Sequence, residues 1–423
     1  MTRSGGDTAT EPSAAKGGGS AVSRRSLFGL VGAGAVVGIT GFASGATVGR
    51  LTAPAAPAAD GAPSPVADAR DSVPFDGIHQ AGIATPAQAN LVLTAYDLGP
   101  GAGRAELAAV LREWTKAARA LTAGAPVAAD PQISVGDPAA LTVTVGVGRA
   151  LVVRLGVTVP SAFVDLPPFA GDALDPALSD GDVVVQLCAD DPLVLAQADR
   201  VLTRLAAPHL TPRWQQHGFG STGARRDGTT GRNLMGQLDG TNNVTTSQSA
   251  QDGPVWVNEP APAWLAGGSY LVVRRIRMLL RDWDALDTSR QARVIGRTKD
   301  TGAPLGSRDE AAFVDLEARG ADGSLVIPAD AHVRHAAPRS AAENMMRRGY
   351  SYRGQLASDG EVDQGLLFLS YQNDPTTSFI PVQSRLAAED ALSAFTVTTA
   401  SAVFAILPGT GDESGWLGAQ LLS

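Results

Sequence analysis

The sequence is poor in cysteine, in histidine and in positive charge. Cys188 is the single cysteine among 423 residues, which excludes an intramolecular disulfide and any zinc-thiolate or iron–sulfur centre that needs several cysteines. Lys and Arg number 34 against 42 Asp and Glu, for a formal net charge of −8. An acidic excess argues against nucleic acid or an anionic membrane surface as the main partner. The fold must therefore be held by a core, which a hydrophobic fraction of 44% can supply.

The first 60 residues resemble an export leader rather than a folded domain. The twin arginine Arg24-Arg25 precedes a Gly-, Ala- and Val-rich stretch that ends near Gly49, and this pattern is typical of a twin-arginine signal. An uncleaved anchor is the alternative, although the stretch is poor in Leu, Ile and Phe. We expect residues 1–60 to be the signal, residues 61–72 to be a linker, and the twin-arginine export machinery to deliver the protein to the periplasm, the cell envelope or the medium.

The rest of the chain shows strand and helix patterns in alternation. Period-two alternation predicts strands, and apolar residues at helical spacing predict helices. The predicted strands are Ala89–Leu98, Leu141–Val147, Asp182–Leu187, Gly268–Met278 and Gly365–Tyr371, and the predicted helices are Arg104–Leu121, Pro192–Leu205, Trp283–Gly296 and Phe379–Leu392. The polar stretch Gln215–Asp252 has no clear period and is interpreted as a long functional loop. The similar order in both halves predicts an α+β fold with two domains, residues 73–245 and 246–423.

Two of the five histidines, His332 and His335, lie in a nine-residue stretch with Arg334 and Arg339. A neutral imidazole is a good ligand for haem iron, and the guanidinium forks suit the carboxylates of haem propionates. A solvated basic loop explains the same residues equally well. A lone histidine is also more often a surface or core residue than a ligand.

Two further polar stretches have both a structural and a chemical interpretation. Asp239 lies in Gly236-Gln237-Leu238-Asp239-Gly240, where Asp-Gly is first of all a turn signal. Its carboxylate could instead point into a pocket as a general acid or base. The pair Arg347-Arg348 before Gly349 could belong to a structural turn, or it could place a fixed cation beside a bound peroxide.

Taken together, these stretches resemble the dye-decolorising peroxidases, in particular an exported branch that includes deferrochelatase-like members. The similarity extends over most of the chain after the leader. Its segments are Gly77–Ile83, Leu166–Phe169, Arg232–Thr241, Ala331–Arg334, Pro338-Arg339, Arg347–Tyr352 and Asp363–Phe368. The resemblance implies two ferredoxin-like halves with antiparallel sheets and one haem b in the second half.

The resemblance also implies roles for individual residues. His332 corresponds to the axial iron ligand and Asp239 to the distal acid/base. Arg347 corresponds to the distal arginine, with Arg348 as the weaker candidate. Hydrogen peroxide would be reduced at this site, and dyes or other aromatic donors would be oxidised in single-electron steps.

Four more residues are assigned to the haem pocket by the resemblance. Arg334 is a candidate propionate partner, and Asp363 is a candidate acceptor for the ring N–H of His332. Leu366 and Phe368 are candidates for the distal lining. A haem carrier of the deferrochelatase type, which would need no turnover, is the alternative function, and a haem-free interaction protein is a third. The sequence leaves the oligomeric state open, including a homo-oligomer.

Overall fold

The computed structural model describes most of the chain after the predicted leader. The described residues are 72–128, 136–221, 229–245, 253–258 and 260–423. The twin-arginine stretch, and all but the last residue of the linker, lie outside them. Within these ranges no helix is both long enough and apolar enough to span a membrane.

The first half, over its described residues, is built from four strands and three helices. These are β1 (Asn90–Leu98), α1 (Arg104–Thr122), β2 (Thr142–Gly148), α2 (Arg149–Arg154), β3 (Val183–Ala189), α3 (Pro192–Ala206) and β4 (Leu210–Phe219). Helix α3 begins where the sequence provides a start signal, because the side chain of Asp191 accepts a hydrogen bond from the N–H of Leu193 and Pro192 occupies the first turn. Helices α1 and α3 pack on the outer side of the first sheet through a cluster that includes Leu111, Trp114 and Val201.

The described part of the second half contains five strands and four short helices. These are β5 (Ser269–Met278), α4 (Leu280–Asp284), α5 (Thr288–Ile295), α6 (His332–Ala336), β6 (Met346–Arg347), β7 (Tyr350–Leu356), β8 (Val362–Gln372), α7 (Phe379–Glu389) and β9 (Thr396–Ile406). All ladders between these strands are antiparallel.

Each half has the strand order of a ferredoxin-like unit, β4-β1-β3-β2 in the first and β9-β5-β8-β7 in the second. The two sheets join through β2–β9 and β4–β7, and β6 extends the pairing of β8 in line with β7. The expectation of an α+β fold with two ferredoxin-like, antiparallel halves is confirmed.

Side chains of the second sheet alternate between two faces. The face that we call the inner face carries Tyr350, Leu367, Leu369 and Tyr371, which share one buried cluster with Leu91, Val184 and Cys188 of the first half. The opposite face, which we call the outer face, carries Arg347, Leu366, Phe368 and Ser370, as the register of β6 and β8 requires. Helices α6 and α7 lie beyond the outer face.

Three sequence expectations need correction. The predicted helix Trp283–Gly296 is two helices, because Asp287 accepts a hydrogen bond from the N–H of Arg290 and starts α5 afresh. Part of the predicted loop Gln215–Asp252 is strand, since β4 runs to Phe219. Strand β9 was missed because its first half is Thr- and Ala-rich and shows no clear alternation. The proposed domain boundary at residue 245 adjoins residues outside the described ranges, so it stays a prediction.

Candidate active site

His332 opens the five-residue helix α6. The helix is short because Pro338 follows it and holds Ala337 in an extended conformation, with φ −63° and ψ 130°. The side chain of His332 is 34% exposed, although α6 packs against α5 and α7. The imidazole therefore borders open space and is not sealed into a core.

Asp390 fixes the orientation of this imidazole. Its Oδ2 lies 2.6 Å from Nδ1 of His332, and its Oδ1 accepts a hydrogen bond from the N–H of Leu392. Burial lowers the pKa of His332, but the carboxylate of Asp390 outweighs burial and raises it. Because Nδ1 is engaged, Nε2 is the ring nitrogen available to a metal.

The expectation that Asp363 accepts from His332 is wrong. Asp363 points from β8 to the inner face, where it is paired with Arg275 and accepts a hydrogen bond of 3.0 Å from the hydroxyl of Tyr352. Strand alternation is the reason, since odd-numbered residues of β8 face inward and His332 lies beyond the outer face.

Asp239 and Arg347 come together across 108 residues of sequence. Nη1 of Arg347 lies 3.4 Å from Oδ1 of Asp239, and Nη2 donates to the carbonyl of Asn242 at 2.8 Å. The other carboxylate oxygen of Asp239 has only a 3.4 Å contact with Nδ2 of Asn233. Both side chains are about one-third exposed. These long contacts leave the carboxylate and guanidinium available to a small polar molecule.

The loop of Asp239 is shaped by two glycines with positive φ, +77° at Gly236 and +132° at Gly240. Arg232 holds the loop from one side, donating to the carbonyls of Gly236, Lys299 and Asp300 at 2.5–2.7 Å. The sequence therefore builds a turn, as the structural interpretation of Asp-Gly required, and the turn presents the carboxylate.

Thr241 holds the same loop from the other side. Its hydroxyl donates to Glu310 at 2.7 Å. Hydrogen bonds from Thr230 and Thr241 lower the pKa of Glu310. The carboxylate of Asp239 is thus mounted on a braced loop, which suits a group that must act at one place.

Leu366 and Phe368 lie on the outer face, in line with Arg347. Both are partly exposed, and the ring of Phe368 lies 6.0 Å from that of Phe379 in α7. Leu366 and Phe368 thus form part of an apolar wall on the face that carries Arg347. Ser370, on the same face, has a buried hydroxyl that finds no hydrogen-bond partner among the described residues.

Arg334 is largely engaged with the backbone. Its guanidinium donates to the carbonyls of Leu316, Ile327 and Pro328, and Nη1 lies 3.6 Å from Glu317. The arginine anchors the segment that leads into α6. Its assignment to a propionate stays a prediction.

Arg348 points to the inner face and is 4% exposed. It donates to the carbonyls of Thr85 and Pro86 and to the side chain of Gln88, all in the first half. The residue therefore links the two halves, and of the two successive arginines only Arg347 reaches Asp239.

Three residues that support the site were not identified from the sequence. Asp390 lies 58 residues from His332, and its only local signal is a cap position before Ala-Leu-Ser. Arg385 donates to the carbonyls of His335 and Ala337 and to the carboxylate of Glu343, which ties α6 to α7. Asn243 binds the main chain of Arg347. Each acts through a long-range contact that no local pattern encodes.

The residues present fit a haem. His332 offers one free ring nitrogen, an apolar wall faces the same side of the sheet, and an acid and a cation lie on that side too. The charges of Asp239 and Arg347 both reach His332, because Asp239 raises its pKa and Arg347 lowers it. A flat apolar group with a single histidine ligand suits this donor set.

Family models match both halves of the chain. Residues 80–220 match "Dyp-type peroxidase, N-terminal" and residues 230–411 match "Dyp-type peroxidase, C-terminal". Among characterised relatives, the dye-decolorizing peroxidase of Thermobifida fusca is 41% identical and the alignment covers 98% of this chain and 99% of the relative. The deferrochelatase of Escherichia coli K12 is 37% identical, with 84% of this chain and 88% of the relative covered.

Solved structures of the same type superpose on the chain. The DyP-type peroxidase from Cellulomonas bogoriensis is 44% identical, with a TM-score of 0.79 over 83% of this chain and 98% of that one. Ferric DtpA from Streptomyces lividans gives the same identity and TM-score over 83% and 97%. DypB of Rhodococcus jostii, solved as a variant in complex with heme, is 21% identical with a TM-score of 0.59 and shares the fold.

Proposed function

Because the chain belongs to the Dyp-type peroxidase family, and is therefore a haem peroxidase that uses hydrogen peroxide and an electron donor, we propose that His332 is its axial iron ligand and that Asp239 and Arg347 act on the peroxide. Two contacts support the proposal: Asp390 holds the imidazole of His332 through Nδ1, and Asp239 and Arg347 meet across 108 residues of sequence.

A haem, which we propose to be haem b held by His332, would supply a redox-active iron able to accept two oxidising equivalents from peroxide and to be reduced again by single electrons from a donor. Asp239 receives a proton from the peroxide at one carboxylate oxygen and gives it to the departing oxygen. Among the described residues its oxygens have only 3.4 Å contacts, so the exchange with these partners does not require a strong hydrogen bond to be broken.

Arg347 supports the negative charge that grows on the departing oxygen. Its guanidinium is held through Nη2 on the carbonyl of Asn242 and so is in place before the reaction starts. A fixed donor aimed at developing charge contributes about 10²–10³-fold in rate.

His332 and Asp390 are the proposed iron ligand and its hydrogen-bond partner. A carboxylate that accepts a hydrogen bond from Nδ1, the ring nitrogen that would not bind the metal, makes the imidazole a stronger electron donor and fixes its tautomer. Leu366 and Phe368 contribute apolar side chains to the same face of the sheet. We propose that bulky dyes or other aromatic donors are oxidised from outside the site.

A second candidate function is removal of iron from haem, since deferrochelatases are among the relatives at 37% identity. A carrier or iron-releasing protein needs the His332 side but not both Asp239 and Arg347. The substitutions Asp239→Ala and Arg347→Ala separate the two functions, because each should leave haem bound and remove peroxidase turnover while sparing iron release.

The absorption spectrum of the purified protein tests the ligand assignment. We expect a Soret band in the wild type that is lost or strongly altered in His332→Ala, with His335→Ala as the control at a histidine of the same helix. A wild-type band in His332→Ala would refute the assignment. Rapid spectral change on adding peroxide tests the proposed roles of Asp239 and Arg347.

We further propose export by the twin-arginine route. The support is the Arg24-Arg25 pair before a Gly/Ala-rich stretch. Replacing both arginines by lysine should retain a folded, haem-loaded precursor in the cytoplasm, whereas the wild type is recovered beyond the membrane. Equal recovery of both forms would contradict it.

A further inference from the structure

The strand that carries Arg347 has an unusual free edge. Strand β6 comprises only Met346 and Arg347 and ends the order of the sheet. An edge strand exposes N–H and carbonyl groups that need partners. The N–H of Arg348 donates to the carbonyl of Leu369 in the neighbouring strand β8. The N–H and the carbonyl of Arg347 point to the other side of the strand, where the side chain of Asn243 binds both.

Asn243 completes the edge as a neighbouring strand would. The N–H of Arg347 donates to Oδ1 of Asn243 at 2.8 Å, and Nδ2 of Asn243 donates to the carbonyl of Arg347 at 2.7 Å. The same Oδ1 accepts from the N–H of Val244 at 3.0 Å. A side-chain amide suits this task because it offers a donor and an acceptor at a fixed separation.

The contact connects two parts of the site that the fold brings from distant positions. Asn243 follows Asp239 by four residues on the same loop, and its amide holds Arg347 directly. The carbonyl of Asn242, on the same loop, holds the guanidinium of Arg347, whereas Asn243 holds its main chain. Two further braces of the loop run elsewhere, from Arg232 to the carbonyls of Lys299 and Asp300, and from Thr241 to Glu310.

We propose that Asn243 is a positioning residue that sets the separation of Asp239 and Arg347. The inference rests on the proposed roles of those two residues. Asn243 does not meet the peroxide itself, and it acts by fixing the main chain of the arginine relative to the loop of the acid. The carboxylate–guanidinium contact is long, at 3.4 Å, so it cannot keep the two groups in register by itself.

The test compares Asn243→Ala with Asn344→Ala in the haem-loaded protein. Asn344 is the matched control because it lies two residues before β6 and its amide donates within its own turn, to the carbonyl of Ala341 at 3.1 Å. We expect Asn243→Ala to slow the reaction with peroxide about ten- to a hundred-fold, the usual effect of a displacement near 1 Å. Asn344→Ala should keep the wild-type rate. The later reaction with an electron donor and its KM should be unchanged in both.

A third variant, Asn243→Gln, tests whether the position of the amide matters in addition to its ability to form hydrogen bonds. Asn243→Gln keeps both amide functions but moves them by one methylene, so it should restore thermal stability and haem content without restoring the peroxide rate. A wild-type rate in Asn243→Gln or Asn243→Ala would overturn the proposal, as would an equal loss in Asn344→Ala. If Asn243→Ala fails to fold, the glutamine variant decides alone.

Hydrogen exchange supplies a readout that does not depend on turnover. The amide of Arg347 should exchange faster in Asn243→Ala, while that of Arg348, bonded to Leu369, should not change. Unchanged protection at Arg347 would overturn the inference. A wrong ligand assignment would appear in the His332→Ala spectrum and leave the exchange result unaffected, so the two failures are distinguishable.

Discussion

The two faces of the second sheet use the same kind of residue for opposite purposes. Arg347 and Arg348 are neighbours in sequence, but strand alternation sends one to the outer face and the other to the inner face. Arg347 is about one-third exposed and lies beside a carboxylate. Arg348 is 4% exposed and binds two carbonyls and one amide of the first half.

The outer face carries the groups proposed to act on peroxide, whereas the inner face joins the two halves. On the inner face both terminal nitrogens of Arg348 are bonded to acceptors of the first half, and the two halves are joined. On the outer face the contact between Asp239 and Arg347 is long, at 3.4 Å, and both side chains are about one-third exposed. Partly exposed polar groups with a long mutual contact can bind a small polar molecule, which suits a site.

On the outer face, Arg347→Ala should impair the reaction with peroxide and leave the stability of the fold almost unchanged. We expect the rate constant with peroxide to fall about 10²–10³-fold, because a fixed cation is removed from the developing charge. The free energy of unfolding should change little, since the side chain is partly exposed and its contact with Asp239 is long. Stopped-flow spectroscopy and urea unfolding measure the two effects. A large loss of stability would show that Arg347 has a structural role instead.

Arg348→Ala should do the reverse. It leaves the carbonyls of Thr85 and Pro86 and the amide oxygen of Gln88 without their donor and opens a cavity, which we expect to cost about 2–4 kcal/mol of stability. Urea unfolding at neutral pH measures the cost. Arg353→Ala, at an exposed position of β7, is the control for loss of one positive charge. Equal midpoints for the two variants would contradict the role of Arg348 as a link between halves.

Of the strands of this sheet, the sequence predicted β5 and β8 but not β6, β7 or β9. The strand around Leu366–Tyr371 is apolar on both sides, so no alternation tells which residues face the site. Asp363 was assigned to His332 through the resemblance, and no local pattern could show that it points inward. Leu366 and Phe368, on the other parity, do lie on the outer face. The partner of His332, Asp390, is fixed by the packing of α6 and α7, which depends on contacts 58 residues apart.

Arg347 and Asp239 were identified through resemblance and not through any pattern that physical reasoning alone could decide. A turn at Asp-Gly is what the structure contains, with Gly236 and Gly240 at positive φ. The same turn also presents the carboxylate to Arg347. The structural and chemical interpretations were thus not alternatives, and only the tertiary contact could show it.

Asp363, which the sequence resemblance assigned to His332, and Asp390, which contacts it in the structure, give a third comparison. Asp390→Asn keeps an acceptor but removes the charge beside the imidazole, so we expect about a ten-fold slower reaction with peroxide and a shifted haem spectrum. Asp363→Asn should leave both unchanged and instead destabilise the fold, because Arg275 is 7% exposed and loses its charged partner. A spectral shift in Asp363→Asn with none in Asp390→Asn would reverse the assignment made from the structure.

The smallest expected effect concerns pH and the support of α6. Arg385 binds Glu343 at 2.7 Å, and this hydrogen bond lowers the pKa of Glu343 from its usual 4.5. A lowered pKa in the folded state means that ionised Glu343 stabilises the fold above pH 4.5, and that this stabilisation is lost as the pH falls through the folded-state pKa. Glu343→Gln should therefore be less stable than the wild type by about 1 kcal/mol at about pH 7. The gap should narrow below pH 4.5.

The inner-face arginine provides the contrast for that measurement. Because the partners of Arg348 are carbonyls and an amide, which do not titrate, the destabilisation in Arg348→Ala should be the same at neutral pH and near pH 4. Urea unfolding of the wild type and the two variants at both pH values compares the slopes directly. A gap for Glu343→Gln that is constant with pH would mean that the charge of Glu343 contributes nothing. A loss of stability in Arg348→Ala that becomes smaller in acid would mean that Arg348 also interacts with a carboxylate.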